Sequence, residues 1–510
     1  MLESLNGNIN TIGKLLRLTA EKYGSKPCIK YLRNEEVVEV SYKDFFVNSF
    51  KAALYLKSKI SERKHIAVIG KTSYEFLIYL NAVYISGNVA VVLSDDRKME
   101  DTVSLLKDSD SEVLLYGSSI RNHLDFIQKE CPMSFTLDME DENLFADICS
   151  KEYPTREFEK DFENPEDCAS IIYTSGTSGV SKGAMLSSNA IVSNVFYREM
   201  SFEGEHVALN VLPLHHIFSF SCDYLKNLKD GVTICLNGDI SNINSNLLLF
   251  EPSFIRLVPM MVETLVRRMR IIKKNSPELS PREAAERVFG KNLRNIIASG
   301  AKLNAVMAKE LEEAGITIRQ GYGMTETGPR ISVPDGKTCA DSGGRVISIC
   351  NVRIENGEIQ VQSPSLMMGY YKKSEETAKV FTQDGWFRTG DIGYMTPDRE
   401  LFITGRLKNI IVLSNGENVS PEEIEKNFSS EQLIKEILVF EEKGKIAADI
   451  YPDYDYAKKN GITDIDSAVN SIVDKINSQD IDAREIARIH IKTEPLPKTS
   501  TGKIIREKGE

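Results

Sequence analysis

The chain has 510 residues, 41% hydrophobic and 27% charged, the balance of a water-soluble globular protein too long for one growing hydrophobic core. One large and one small domain are therefore expected, and a formal net charge of −11 argues against a nucleic-acid or anionic-membrane surface. Eight cysteines without a CxxC pair argue against structural zinc and against a disulfide framework, and for thiols in a reducing compartment.

The opening MLESLNGNINTIGKLL has no basic stretch followed by a continuous apolar run, so it predicts an amphipathic helix, not a secretory leader; a cytoplasmic location is expected. Residues 76–93 are the most apolar stretch, but Asn81, Gly87 and Asn88 break it, predicting a buried helix and then a strand instead of a membrane span. From residue 64 to 330, strand-like runs alternate with helical patterns: HIAVIG, NVAVVL, EVLLYG, ASIIYT, VALNVLPL, TICLNG, FIRLVP and LRNIIASG. The fold class expected is α/β, with parallel sheets covered by helices on both faces and ligands bound beyond the strands' carboxyl ends. Residues 346–404 shift to short strands and turns, a small β subdomain. Past Gly405, the residues Ser420, Pro421 and Glu423 have the spacing of an N-cap, an N1 proline and a capping-box glutamate, so a new unit starts there. The division expected is 1–404 for a large N-terminal domain and 405–510 for a small, mobile α/β C-terminal domain.

Chemistry is concentrated first in IIYTSGTSGVSKGAML, where a strand leads into Thr174, Ser175, Gly176, Thr177, Ser178 and Gly179, and Lys182 follows. Glycines let backbone N–H groups approach oxyanions, hydroxyls donate further hydrogen bonds and a lysine adds mobile positive charge, so the loop suits phosphate. The order is not GxxxxGK[ST], which excludes a Walker A loop. A flexible Ser/Gly linker is the plain alternative, but linkers seldom sit between two apolar strands.

This loop resembles the phosphate-binding signature of the adenylate-forming superfamily of acyl-CoA synthetases, adenylation enzymes and luciferases. The motifs that follow keep the family's order: ASGAKL at 298–303, GYGMTET at 321–327, WFRTGD at 386–391, GRLKN at 405–409 and PKTSTGK at 497–503. The resemblance implies that Thr325 contacts ATP and that Glu326 holds the magnesium ion bridging phosphate oxygens, a task that suits one carboxylate. It implies further that Asp391 accepts hydrogen bonds from both ribose hydroxyls, while Gly300, Ala301 and Tyr322 wall the adenine. By the same resemblance Arg406 contacts the nucleotide, Lys408 is the hinge of the small domain, and Lys503 lies between carboxylate and α-phosphate during adenylation. Gly416, in SNGENVSP, is implied to help line a pantetheine tunnel, and His216, in PLHHIFSF, to stand as a gate beside the carboxylate; pattern alone does not say which of His215 and His216 faces the pocket. Three departures are Lys302 and Ser181, each where proline is common, and Ser219, where glycine is common.

The implied reaction has two steps: ATP and Mg2+ activate a carboxylic acid as acyl-AMP, with Lys182 and the hydroxyl loop steadying pyrophosphate, and the acyl group then passes to a thiol, expected to be that of coenzyme A. No GxSxG elbow or catalytic triad is needed. PLHHIFSF offers no aspartate before Asp223 to hold an α-ammonium group, which disfavours an amino acid. VALNVLPLHHIFSF and FIRLVPMMVETLVRR look most like long-chain fatty acyl-CoA synthetases, with Met260, Met261 and Val262 as pocket or core residues, so a medium- to long-chain fatty acid is expected. The alternatives are an acyl-AMP ligase that loads an acyl carrier protein and a non-catalytic nucleotide-binding homologue; the second would be expected to have lost Glu326 or Lys503. No nucleic acid and no transmembrane segment are expected.

Overall fold

The computed structural model describes residues 9–174, 181–196, 206–299, 305–335, 338–339, 342–413, 418–429, 431–478, 485–498 and 504–506. Of the expected site residues, Ser175, Gly176, Thr177, Ser178, Gly179, Gly300, Ala301, Gly416 and Lys503 lie outside these described residues.

Two seven-stranded sheets form the body of the chain. In one, Thr317–Gln320, Asn295–Ala298, Phe254–Leu257, Val207–Asn210, Thr233–Leu236 and Pro27–Arg33 pair in parallel, and Glu36–Ser41 closes the edge antiparallel. In the other, Cys168–Thr174, Val89–Leu93, His65–Ile69, Val113–Tyr116 and Phe135–Asp138 run parallel. All eight runs singled out from the sequence are strands, because each is a short apolar segment bounded by turn residues and covered on both sides. The helix Tyr74–Ile85 is buried along its whole length and leads into Val89–Leu93. An apolar helix of that kind belongs between layers.

Both sheets are mixed, which is where the structure departs from the parallel expectation. Lys182–Ser187 turns back antiparallel on Cys168–Thr174, with Thr174 opposite Lys182, so the Ser/Thr/Gly segment joins the two arms of a hairpin. Gly369–Tyr370 then pairs with Lys182–Ser187, at Met185 and Ala184, and returns to the large sheet from within the expected β subdomain. The rest of that subdomain is an antiparallel sheet of Asn351–Glu355, Glu358–Gln362, Phe387–Met395 and Leu401–Arg406.

The C-terminal part has its own sheet, Ile434–Glu442, Lys445–Pro452 and Arg488–Ile491, and its own core, which includes Val439, Ala448, Ile450, Val469 and Val473. Its first helix, Pro421–Asn427, starts at Ser420 with proline in the first turn, as its sequence predicts. The capping box does not form: the Ser420 hydroxyl donates instead to the Thr404 carbonyl at 2.9 Å and to the Glu422 carboxylate at 3.1 Å, so it ties the helix back to the preceding strand. All eight cysteines are free thiols. No helix among the described residues is long and apolar enough to cross a membrane.

Candidate functional site

GYGMTET follows the strand Thr317–Gln320 and folds as a two-residue strand, Tyr322–Gly323, and a short 3-10 turn, Thr325–Thr327. Gly323 is required there, since a Cβ would collide with the Pro329 carbonyl of the returning strand. The turn is fixed from below: the buried Asn194 amide donates to the Thr327 carbonyl at 3.3 Å, the Arg330 carbonyl at 3.1 Å and the Ser365 hydroxyl at 3.0 Å. Thr325 and Glu326 sit half-buried on the outer side of that turn.

Asp391 lies within the strand Phe387–Met395, opposite Arg406 in the ladder. It is 4% exposed, and both carboxylate oxygens are engaged: the Tyr322 hydroxyl donates to Oδ2 at 2.7 Å, and Arg406 Nε lies 2.8 Å from Oδ1. Burial pushes the Tyr322 phenol well above its usual range, and the Asp391 charge adds to that shift, so the phenol is a permanent donor. Tyr322, Asp391 and Arg406, three of the residues expected at the nucleotide, thus meet in one cluster.

A second cluster starts from Glu326. Its Oε1 accepts the Tyr370 hydroxyl at 2.8 Å, and the Lys182 ammonium stands 5.1 Å from the centre of the Tyr370 ring. The ammonium also pairs with Glu376 Oε2 at 2.5 Å. Tyr370 and Glu376 carry no motif signal; Tyr370 comes from the two-residue strand Gly369–Tyr370, too short for any periodicity to reveal, and Glu376 from the seven-residue helix Ser374–Val380. Among the described residues no group of three or more histidine, cysteine or acidic side chains is placed to hold a metal. The lone half-buried Glu326 carboxylate fits magnesium, which takes one or two carboxylates and completes its shell with phosphate oxygens and water.

The histidine segment follows the strand Val207–Asn210. His215 and His216 have ring centres 4.1 Å apart; His215 is half-buried, and His216 is exposed. Burial drives His215 down to about 3, with the positive fields of His216 and Arg97 adding to it, and burial then Arg97 lower His216 too. Both rings are neutral at pH 7. Arg97, just past the strand Val89–Leu93, was invisible to motif reading, and its buried Nε has no hydrogen-bond partner.

Behind the histidines, Phe218–Leu225 is a π-helix whose Asp223 is fully buried. Asp223 accepts from Asn210 at 2.7 Å and from Asn227 at 3.3 Å and lies 3.5 Å from Arg256 Nη1. Ser219 takes part as well: its hydroxyl donates to the Leu212 carbonyl at 2.5 Å and accepts from the Asn210 amide at 3.3 Å. The three neighbouring residues at the start of the helix Pro259–Asn275 point different ways. Val262 is in the core, Met261 packs against its edge, and Met260 is 47% exposed.

Arg406 and Lys408 bracket the junction. Lys408 is exposed in the short turn Leu407–Asn409, and Asn409 donates to Glu422 at 2.5 Å across it. The described residues on either side of Lys503 are tied down: Ile505 N–H donates to the Pro497 carbonyl at 2.8 Å, Lys498 pairs with Glu436 at 2.6 Å, and Arg506 makes a two-pronged contact with Glu425 at 2.6 and 2.5 Å.

Comparison with known proteins agrees with this geometry. The model of the AMP-binding enzyme family matches residues 16–371, and that of the AMP-binding enzyme C-terminal domain matches residues 408–510. The tobacco (Nicotiana tabacum) 4-coumarate–CoA ligase 2 is 26% identical, with 95% of this chain and 91% of that protein covered. A 4-coumarate–CoA ligase of Pinus taeda is 29% identical over 68% of this chain and 65% of its own length. In fold, the chain is similar to an anthranilate CoA ligase in complex with anthranoyl-AMP, with a TM-score of 0.80, 17% identity, and 97% and 95% of the two chains covered. It is also similar to a Mycobacterium tuberculosis fatty acyl CoA synthetase, with a TM-score of 0.71, 22% identity and 97% of each chain covered. With a family model spanning well over half of its length, the chain belongs to the AMP-binding enzyme family and is an AMP-forming ligase of the adenylate-forming superfamily.

Proposed function

We propose that this ligase joins a carboxylic acid to coenzyme A in two steps, through an acyl-AMP intermediate, and that its acid is a medium- to long-chain fatty acid. The observation that carries the nucleotide half is the pair of contact lines Arg406–Asp391–Tyr322 and Glu326–Tyr370–Lys182, which start from Tyr322 and Glu326 of one short segment.

In the first step an oxygen of the acid attacks the α-phosphorus in line, a bond to phosphorus forms, and the bond to the pyrophosphate oxygen breaks. Asp391 would accept from the ribose hydroxyls, with Tyr322 and Arg406 holding its carboxylate in place. Thr325 would meet the nucleotide, and Lys182 the departing phosphates. Glu326 would hold magnesium, which when bound neutralises phosphate charge. Lys503 would offset charge where carboxylate and phosphorus meet. In the second step the thiol sulfur attacks the acyl carbonyl, and AMP leaves with the electrons of the broken C–O bond. A turn about Lys408 between the domains 1–404 and 405–510 would withdraw Lys503 and bring Gly416 and its loop to the thiol's path.

The neutral rings of His215 and His216 offer no charge to an acyl group, which supports an uncharged one. An amino acid is disfavoured further because Asp223 is enclosed with Arg256 and its amide partners, out of reach of an ammonium group. The names of the plant relatives favour a second reading, an aromatic propenoic acid. Carrier-protein loading shares every nucleotide contact and differs only in the acceptor. The eight free thiols support a reducing compartment, in keeping with the cytoplasm.

The test is pyrophosphate release with ATP and magnesium across acetate, octanoate, palmitate, benzoate, 4-coumarate, anthranilate and an amino-acid pool, each with and without coenzyme A. Release with octanoate or palmitate that rises with coenzyme A and gives acyl-CoA by mass spectrometry is the expected result. Selective use of 4-coumarate would replace the fatty acid, and acyl-AMP accumulating without acyl-CoA would move the acceptor to a carrier protein.

A further inference from the structure

Lys182 has a neighbour that the nucleotide chemistry does not call for. Glu376, in the first turn of the helix Ser374–Val380, takes the Lys182 ammonium at 2.5 Å and also pairs with Lys379 at 2.5 Å. The two lysines pull the Glu376 carboxyl down to about 2, so it is charged at any working pH. The Tyr370 ring supports the same ammonium from one side, while its hydroxyl goes to Glu326. The side chains of Lys182 and Glu376 are 21% and 35% exposed, so water reaches the pair and its strength is that of a reversible contact.

We propose that Glu376 is a positioning residue that docks the Lys182 ammonium against Tyr370 and competes with the ATP phosphates for it. This rests on the reading of Lys182 as the residue that meets the phosphates. A phosphate group offers more charge than one carboxylate, so the ammonium transfers when ATP arrives. Lys379 makes that transfer cheap, because Glu376 keeps a cation after Lys182 has left. The helix Ser374–Val380 thereby sets how tightly ATP binds, through a side chain that need not touch the nucleotide.

The experiment measures KM for ATP by pyrophosphate release at saturating acid for the unaltered protein, Glu376→Gln, Lys379→Ala, Lys182→Ala, and the Glu376→Gln/Lys182→Ala double variant. Glu376→Gln is expected to lower KM for ATP about two- to fivefold, the scale of a partly exposed ion pair, with KM for the acid unchanged. Lys379→Ala, which leaves Glu376 to Lys182 alone, is expected to raise it. The double variant should match Lys182→Ala by itself, because Glu376 acts through that lysine. An unchanged or higher KM in Glu376→Gln overturns the proposal. So does an equal fall in the Lys182→Ala background, which would mean a plain through-space charge effect. If Lys182→Ala leaves KM for ATP and the adenylation rate untouched, the role of Lys182 is itself wrong and the competition fails with it.

Discussion

Asp391 is a buried carboxylate with a phenol on one oxygen and a guanidinium on the other, and that double hold keeps it aimed. Tyr322→Phe removes one hydrogen bond to a charged group, and KM for ATP is expected to rise about tenfold while KM for the acid stays put. An unaltered KM for ATP would show that the phenol has no part in presenting Asp391. The motifs made Asp391, Tyr322 and Arg406 legible as separate residues, but not their contact, since nothing in WFRTGD, GYGMTET or GRLKN specifies a shared hydrogen bond. His215 gives a second prediction. Its folded-state value is held near 3 by burial first and by cationic neighbours second, against an ordinary value of 6.5. Between those values the unfolded chain binds the proton that the folded chain refuses, so stability falls as pH drops through that window and is unaffected above it. His215→Asn should flatten the acid side of the curve of unfolding free energy against pH, measured in urea at pH 7, 6 and 5. A curve parallel to that of the unaltered protein would remove His215 as a source of acid sensitivity.

The π-helix Phe218–Leu225 shows what an element can add that its residues do not announce. Its sequence, FSFSCDYL, alternates aromatic and small polar residues and has no period that distinguishes a π-helix from an α-helix. The wider helix places Asp223 inward, where burial pushes its carboxyl up to about 6 against the pull of Arg256 and its amide partners. Asn210 at the end of the strand Val207–Asn210, Asn227 beyond the π-helix and Arg256 on the strand Phe254–Leu257 all meet there. Asp223→Ala would leave the Arg256 charge enclosed without its counter-charge, and about 3–5 kcal/mol of stability should be lost, read from urea unfolding. Asp223→Asn keeps the shape and one of the two acceptor oxygens and should cost less; equal losses would mean that the second acceptor, not only the charge, is what Asp223 supplies. The long apolar strands were legible because burial on both faces leaves a continuous β-branched run. The return strand Gly369–Tyr370 was not, because two residues cannot carry a pattern and their place is fixed by the hairpin they join. The absent capping box has the same cause: tertiary contact with Thr404 outbid a local partner for the Ser420 hydroxyl.

At the scale of the molecule, the sequence motifs order the two parts along the chain but do not say how they touch. Among the described residues, Arg406 at the end of the strand Leu401–Arg406 pairs with Asp391, the Thr404 carbonyl accepts from the Ser420 hydroxyl, and Gly405 lies against Ser420. Gly405 cannot carry a Cβ without striking the Ser420 hydroxyl, so the approach depends on glycine there. A short exposed turn between the two parts suits the proposed two-position mechanism, because a broad apolar interface would hold one arrangement only. Proline at 408 tests this. It fixes one backbone angle and removes a donor at the turn, while leaving Asp391, Glu326 and the segment around Lys503 as they are. If the present arrangement is the adenylating one, Lys408→Pro should form acyl-AMP at within about threefold of the normal rate and lose at least about tenfold in thioester formation from supplied acyl-AMP. Lys503→Ala should show the reverse if, as proposed, its charge serves only while phosphorus is under attack. The two half-reactions are measured apart, by pyrophosphate release without thiol and by acyl-CoA formation from synthetic acyl-AMP. Opposite losses in the two variants require two arrangements of one chain. Loss of the same step in both would reduce Lys408 to a support for Lys503 and leave the domain turn without a role.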